Sequence, residues 1–262
     1  MEGRLGFELM VRSRQGIIPT ALGERILEEA NAIVLAERRI SALTDNLKRG
    51  YETELRVGCT PTLSLHALPQ PVADFARDNP GVRLDMRQAH SGLLADMLAG
   101  GLVDVVFGPP DIAARVPAAQ SLPLFESQMV ILASRYHPLA GRCAVTLADL
   151  DAARWALHQP GTGIRQAADL LLRRLGVSDR VQANALPSNM ILSLLRMGDH
   201  LAVVPRYVLR NDSLAGELVK IDSGGATISL GHAAIWTGTT PAAVVARFVT
   251  HMTAALATLD DA

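Results

Sequence analysis

Metal ligands and nucleophile–base pairs have characteristic spacings, and few of them occur in this 262-residue chain. Its seven histidines stand at positions 66, 90, 137, 158, 200, 232 and 251, with no pair at a separation that would bring two imidazoles to one metal. Cys59 and Cys143 are the only cysteines, too few for a disulfide framework and without the paired spacing of a zinc site, so both read as buried thiols. There is no G-x-G-x-x-G behind a strand, no phosphate-cradling G-x-x-x-x-G-K-[ST], no H-E-x-x-H and no G-x-S-x-G turn. No catalytic residue, metal or cofactor is expected, although Cys59 or His90 would be the place to look for an enzyme on this scaffold.

Small polar residues recur instead where a strand should end and a helix begin. Cys59-Thr60-Pro61-Thr62, His90-Ser91, Pro160-Gly161-Thr162-Gly163 and Ser188-Asn189 each occupy such a junction. In a parallel α/β sheet these junctions gather at the carboxyl edge of the strands, where unpaired helix N–H groups and hydroxyls can hold an anion or a hydroxylated ligand. One such residue merely caps its helix; four junctions of this kind point to a shared binding cleft. Thr60, Thr62 and Ser91 are therefore expected on one side of the cleft, Thr162 and Asn189 on the other, with Phe107 and Pro205 as walls at strand ends. No Lys or Arg is assigned to it. A carboxylate would rest on helix N-termini, and a sugar or an aromatic acid would fit comparably.

The elements that must position these residues can be read from hydropathy period. "ELRVGC" (54 to 59), "VRLDMRQA" (82 to 89) and "LVDVVFG" (102 to 108) read as strands, with a helical region through Phe75 and a helix "GLLADMLAGG" (92 to 101) between them, giving βαβαβ. A second series follows: strands "LFESQMVILA", "WALH" (155 to 158), "RVQANAL" (180 to 186), "HLAVVP" (200 to 205) and "AAIWT" (233 to 237), with helices at 164 to 176, 189 to 198 and Pro241 to about Leu259. The fold class is α/β with two lobes.

Ahead of both lobes stands one long helix. Thr20 is a good N-cap, and Lys48-Arg49-Gly50 supplies last-turn cations and a C-cap glycine. Ile26, Ile33, Ile40 and Leu47 recur every seven residues, and Leu22, Ala36 and Leu43 fill the other half of the heptad, with Glu29 the one polar interruption. This narrow seam, with β-branched residues at one heptad position, favours a two-stranded dimer helix.

Composition limits the remaining choices. Hydrophobic residues make up 49% and charged residues 19%, so the chain can offset its ordering entropy, and a formal net charge of −1 excludes a uniformly basic coat for nucleic acid. The N-terminus, with Glu2, Arg4, Glu8 and Arg12, lacks the apolar core of a signal peptide, and no stretch approaches the length of a membrane span. The expected location is cytoplasmic, with no membrane partner.

The stretch "LGFELMVRSRQGIIPTALG" resembles the end of the winged helix-turn-helix of LysR-type transcriptional regulators, through Glu2, Leu5, Gly6, Leu9, Met10 and Arg12, then Arg14, Gly16, Thr20 and Gly23. Met10 replaces a Phe-like position. Pro19 stands where Leu is usual, as in the subgroup containing galactose-binding-protein regulators. The resemblance continues through "RVGCTP", "HALPQPVADFARDNPGVRL", "LLADMLAGGLVDVVFG", "PGTGIRQ" and "MILSLLRMGDHLAVVP".

The resemblance implies a winged helix-turn-helix remnant at 1–19 and a linker or dimerisation helix at 20–50. It also implies a type 2 periplasmic-binding-protein-like effector domain at 53–259, with lobe I at about 53–124 and 238–259 and lobe II at about 125–237. It further implies ligand-responsive control of transcription, with Arg12 and Arg14 of the wing on DNA phosphates, a small-molecule inducer between the lobes, and a homodimer that assembles to a tetramer. Family members carry a recognition helix ahead of this point. As written, the chain is expected to bind double-stranded DNA weakly or not at all unless those helices are present, because phosphate contacts position a protein without reading sequence. A downstream start codon, a shortened chain and a natural dominant-negative fragment are all open readings. A stand-alone solute-binding protein would use the same cleft, but would carry a signal peptide and no dimer helix.

Overall fold

A computed structural model describes residues 6–13, 16–48, 50–177, 182–210, 216–222, 224–225, 227–239 and 242–259. The chain opens on an antiparallel hairpin of β1 (Met10–Ser13) and β2 (Gly16–Pro19), with Met10 opposite Pro19 and Ser13 opposite Gly16. This hairpin occupies the stretch read as a wing. Arg12 is exposed on it; Arg14 lies outside the described residues. Thr20 joins the hairpin to the next helix. Its N–H donates to the Leu9 carbonyl at 2.8 Å, and its Oγ1 donates to the Glu8 carbonyl and accepts from the Gly23 N–H, both at 3.0 Å. A Cβ at Gly23 would collide with the Leu9 carbonyl, so this close approach of backbone to backbone requires glycine.

Helix α1 (Ala21–Lys48) runs 28 residues, about 42 Å at 1.5 Å each. Its heptad positions change environment along the rod. Leu22 and Ile26 are half-buried near the hairpin, whereas Ile33 and Ile40 are 72% and 69% exposed. Leu27 and Val34 are exposed as well. The side chains of Leu43 and Leu47 lie outside the described residues.

After α1 the chain builds one continuous mixed sheet. In lobe I, β3 (Thr53–Cys59) lies parallel between β4 (Val82–Gln88) and β5 (Val105–Gly108). In lobe II, β7 (Arg154–His158) lies parallel between β8 (Gln182–Leu186) and β9 (His200–Pro205). Strand β6 (Ala119–Ser134) is 16 residues long and serves both lobes. Its first part pairs with β11 (Ser229–Thr237) and its second with β9 and β10 (Leu218–Ile221), all antiparallel. The expected strand at 233 to 237 therefore belongs by its pairing to lobe I, because Ala233–Ile235 lie antiparallel to β5.

Helices cover both faces. The helical region expected through Phe75 is two pieces, α2 (Pro61–His66) and α3 (Pro69–Asp78), separated where Pro69 favours a fresh helix start over continuation. Helix α4 (Ser91–Ala99) packs so closely on β3 that a Cβ at Gly58 would lie 2.9 Å from Leu94. Lobe II carries α5 (Leu147–Ala152), α6 (Gly163–Arg174) and α7 (Ser188–Met197), and the C-terminal α8 (Ala243–Leu256) returns to lobe I. There Phe248 meets Phe75 and Phe107 edge to face. Cys59 is buried as expected, but Cys143 is exposed, because it sits in the irregular stretch between β6 and α5.

Candidate functional site: the cleft between the lobes

The parallel strands of both lobes end at one place, and the helices that follow them begin there. Thr60 and Pro61 open α2, His90 and Ser91 open α4, Thr162 and Gly163 open α6, and Pro187 and Ser188 open α7. All eight line one cavity of about 380 Å³ between the lobes. The lobes approach closely at its edge, since a Cβ on Gly163 would touch the Pro109 ring at 3.5 Å. Of these four helices only α6 is capped by a side chain: the Thr162 Oγ1 accepts from the Arg165 N–H at 3.3 Å. No side chain caps α2, α4 or α7, so their first N–H groups are unclaimed by such a partner.

The cavity is graded in depth. Gln88, His90, Gln159 and Asn189 are exposed at the rim, Thr60, Ser91 and Thr162 are half-buried, and Thr62, Ser188, His158, Tyr207 and His232 are buried. Leu65, Ile164 and Leu230 with Pro61 and Pro109 supply apolar wall. At depth, the Thr62 and Ser188 hydroxyls share a hydrogen bond at 3.2 Å, and the Ser188 Oγ meets the His158 Nε2 at 3.1 Å. The Arg165 Nη1 donates to the His158 carbonyl at 2.9 Å, fixing the end of β7.

The lining side chains include no Lys, Arg, Asp or Glu. Burial, with smaller contributions from His90 and Arg165, pushes the His158 pKa down to about 4, and burial pushes His232 down to about 3. Both imidazoles are neutral near pH 7. Burial also pushes the Cys59 thiol up to about 11, which keeps it a thiol and a poor nucleophile. Among the described residues no group of three His, Cys, Asp or Glu is arranged to hold a metal ion, and no helix is long and apolar enough to cross a membrane.

Five of the seven residues expected in the cleft line it: Thr60, Thr62, Ser91, Thr162 and Asn189. Phe107 and Pro205 do not. Along β5 the side chains alternate, so Val105 and Phe107 face α8 while Val106 faces the opposite cluster, and Phe107 is spent on Phe248. Pro205 is buried at the end of β9 opposite Met129 of β6. The deepest residues, Tyr207 and His232, escape a strand-end search because they come from a 3₁₀ turn (Arg206–Arg210) and from β11. A bulge between His232 and Ala233 resets the register of β11 against β6 there, a device that re-aims side chains.

Comparison with known proteins agrees with this architecture. The profile of the LysR substrate binding domain matches residues 48–257. The HTH-type transcriptional regulator GalR of Pseudomonas putida is 32% identical over 231 residues, covering 84% of this chain and 56% of that protein. The RuBisCO operon transcriptional regulator of Allochromatium vinosum is 25% identical over 226 residues, covering 86% and 74%. The chain thus spans little more than half the length of the first relative. Among solved structures, full-length CbnR in complex with its target DNA superposes with a TM-score of 0.67 at 22% identity, covering 97% of this chain and 86% of that one. The regulatory domain of Synechocystis PCC6803 CcmR in complex with 2-PG gives 0.66 at 20%, covering 78% and 98%. These two likenesses speak for the fold, a two-lobed domain like the type 2 periplasmic binding proteins. Its sequence matches, its paired lobes and the cleft between them make the chain a member of the LysR family of transcriptional regulators, with that family's effector-binding domain.

Proposed function

We propose that the cleft binds a small organic effector, and that the occupied and empty states of the two lobes set how paired copies of the chain act on DNA. The observation that carries this is the convergence of four helix starts, three of them without a side-chain cap, on a cavity whose lining holds no Lys, Arg, Asp or Glu. A ligand can shift a regulator only by binding one lobe arrangement better than another, and a site shared by both lobes supplies that difference. Thr60, Thr62, Ser91, Thr162 and Asn189 are the proposed contacts. No chemical step is assigned to any residue, and the expected location is the cytoplasm.

On this reading α1 pairs with α1 of a second copy through Leu22, Ile26, Ile33, Ile40, Leu43 and Leu47, and Arg12 and Arg14 of the hairpin touch DNA phosphates. Sequence reading requires helices ahead of the hairpin. The test is transcription from the promoter beside the gene during growth on different carbon sources, with the chain joined to a helix-turn-helix ahead of its hairpin. The expected result is a response to one carbon source that Gly163→Trp, which fills the cleft, abolishes without lowering protein level. A response unaltered by Gly163→Trp overturns the proposal.

A further inference from the structure

Two side chains at the floor of the cavity carry polar atoms with nothing to bind. Tyr207 is 1% exposed and His232 is 3% exposed, and both line the cavity. The Tyr207 Oη and both ring nitrogens of His232 have no hydrogen-bond partner among the described residues, and the same holds for the His158 Nδ1. The Tyr207 and His232 rings meet edge to face at 5.5 Å, and Phe125 lies 4.7 Å from His232, so packing fixes where these atoms sit. Buried polar groups are nearly always satisfied, and one left unpaired destabilises the fold. These atoms lie sealed beneath the cavity floor, and a partner that enters the cavity meets them when the floor side chains turn to admit it.

The chemistry of that partner follows from theirs. A neutral imidazole offers one donor and one acceptor, and a phenol likewise both donates and accepts. Burial keeps His232 in that neutral form, with its pKa near 3. An anionic group at this depth would lose its water without meeting a countercharge, since the lining holds no Lys or Arg. A hydroxyl, at once donor and acceptor, matches both partners. The favourable place for an anion is shallower, at the uncapped starts of α4 and α7, where half-buried Ser91 and exposed Asn189 stand beside unpaired N–H groups.

Resting on the effector reading of the cleft, we infer that its ligand is a small carboxylate with a hydroxyl at its far end. The carboxylate sits against the starts of α4 and α7, and the hydroxyl binds Tyr207 and His232. These two residues then set specificity, rejecting acids of the same shape that lack the hydroxyl and would leave both floor groups unpaired.

The experiment is calorimetric titration of the whole chain with matched pairs of acids that differ only in the distal hydroxyl: benzoate with para-hydroxybenzoate, hexanoate with omega-hydroxyhexanoate, and cyclohexanecarboxylate with its para-hydroxy derivative. In at least one pair the hydroxylated acid is expected to bind about tenfold tighter. Tyr207→Phe should erase that preference, and His232→Phe should reduce it; melting curves check that each variant folds, and either one that folds suffices. Equal affinities within every pair, or a preference that survives the substitution, overturn the inference but leave the effector reading standing. Silence from all three pairs at millimolar concentration overturns both.

Discussion

The hydroxyls of Thr62 and Ser188 stand 126 positions apart in the chain and 3.2 Å apart in space, joining the start of α2 in lobe I to the start of α7 in lobe II. Because the Ser188 Oγ also meets the His158 Nε2 at 3.1 Å, one hydroxyl ties the lobes together and orients a buried imidazole. Ser188→Ala leaves two buried groups without a partner, which should cost about 1–3 kcal/mol. Melting should fall by about 2–4 °C per kcal/mol for a domain of this size, as read by calorimetry. A wild-type melting temperature in this variant would mean that the bond contributes nothing.

Acid should unfold the protein in a window set by histidines. His232, His158 and His66 are held by burial at about 3, 4 and 4, below their ordinary value. The unfolded chain therefore takes up protons that the folded chain refuses. Stability is complete above about pH 6.5 and is lost progressively as pH falls toward the folded values. The Asp149 carboxyl, held down to about 2 by Thr146 and Arg142, acts only at lower pH. Urea midpoints at about pH 7.5 and about pH 5 should differ clearly, and His232→Phe should flatten the difference.

Gly23→Ala should detach the hairpin from α1. A methyl group there meets the Leu9 carbonyl, so the hydrogen bond from Thr20 N to Leu9 O at 2.8 Å must break or the hairpin must shift. Hydrogen exchange of residues 10–19 should accelerate while exchange in β3 and β7 stays at the wild-type rate. Unchanged protection across the hairpin would contradict the close approach.

A dimer through α1 predicts that Ile33→Asp with Ile40→Asp gives monomers at micromolar concentration by sedimentation velocity. Both side chains are more than two-thirds exposed in the single chain, so the substitutions should leave its melting nearly unchanged. Dimers that persist place the contact elsewhere.

Thr60 and Thr162 should separate binding from stability. Thr60 caps nothing, whereas the Thr162 Oγ1 donates to the Gln159 carbonyl at 2.9 Å and accepts from the Arg165 N–H at 3.3 Å. Thr60→Val should weaken effector binding with little change in melting; Thr162→Val should also cost about 0.5–2 kcal/mol of stability. Titration and calorimetry on the same samples distinguish them.

Residues such as Thr60, Ser91 and Thr162 were legible in the sequence because strand and helix periods mark their junction, and parallel topology brings all such junctions to one edge. Phe107 was misread because "LVDVVFG" is apolar on both faces, so hydropathy does not tell which side a residue takes; α8, arriving from the far end of the chain, decides it. Tyr207 and His232 carry no local mark. Their depth depends on how β11 registers against β6 after a bulge, a relation between segments about a hundred positions apart that no short window contains. The assignment of 233 to 237 to lobe II failed for a related reason, since hydropathy identifies a strand but not its neighbour.

The continuous sheet has a mechanical consequence. Lobe I receives both α1 and α8, while lobe II is joined to it covalently only where β6 and β11 cross, at Gln128–Met129 and Ile228–Ser229. Lobe II hangs on a two-stranded ribbon that cannot slide without breaking the ladder, and any swing about it must shear the buried cluster that holds Ile191, Leu195, Ala202 and Val204 of lobe II with Phe75 and Phe248 of lobe I. Its swing has no direct backbone route to α1. Torque generated there reaches the rod either through the shared core of lobe I or through another subunit leaning on lobe II, and in the second case a lone copy of the chain would fill its cleft in silence.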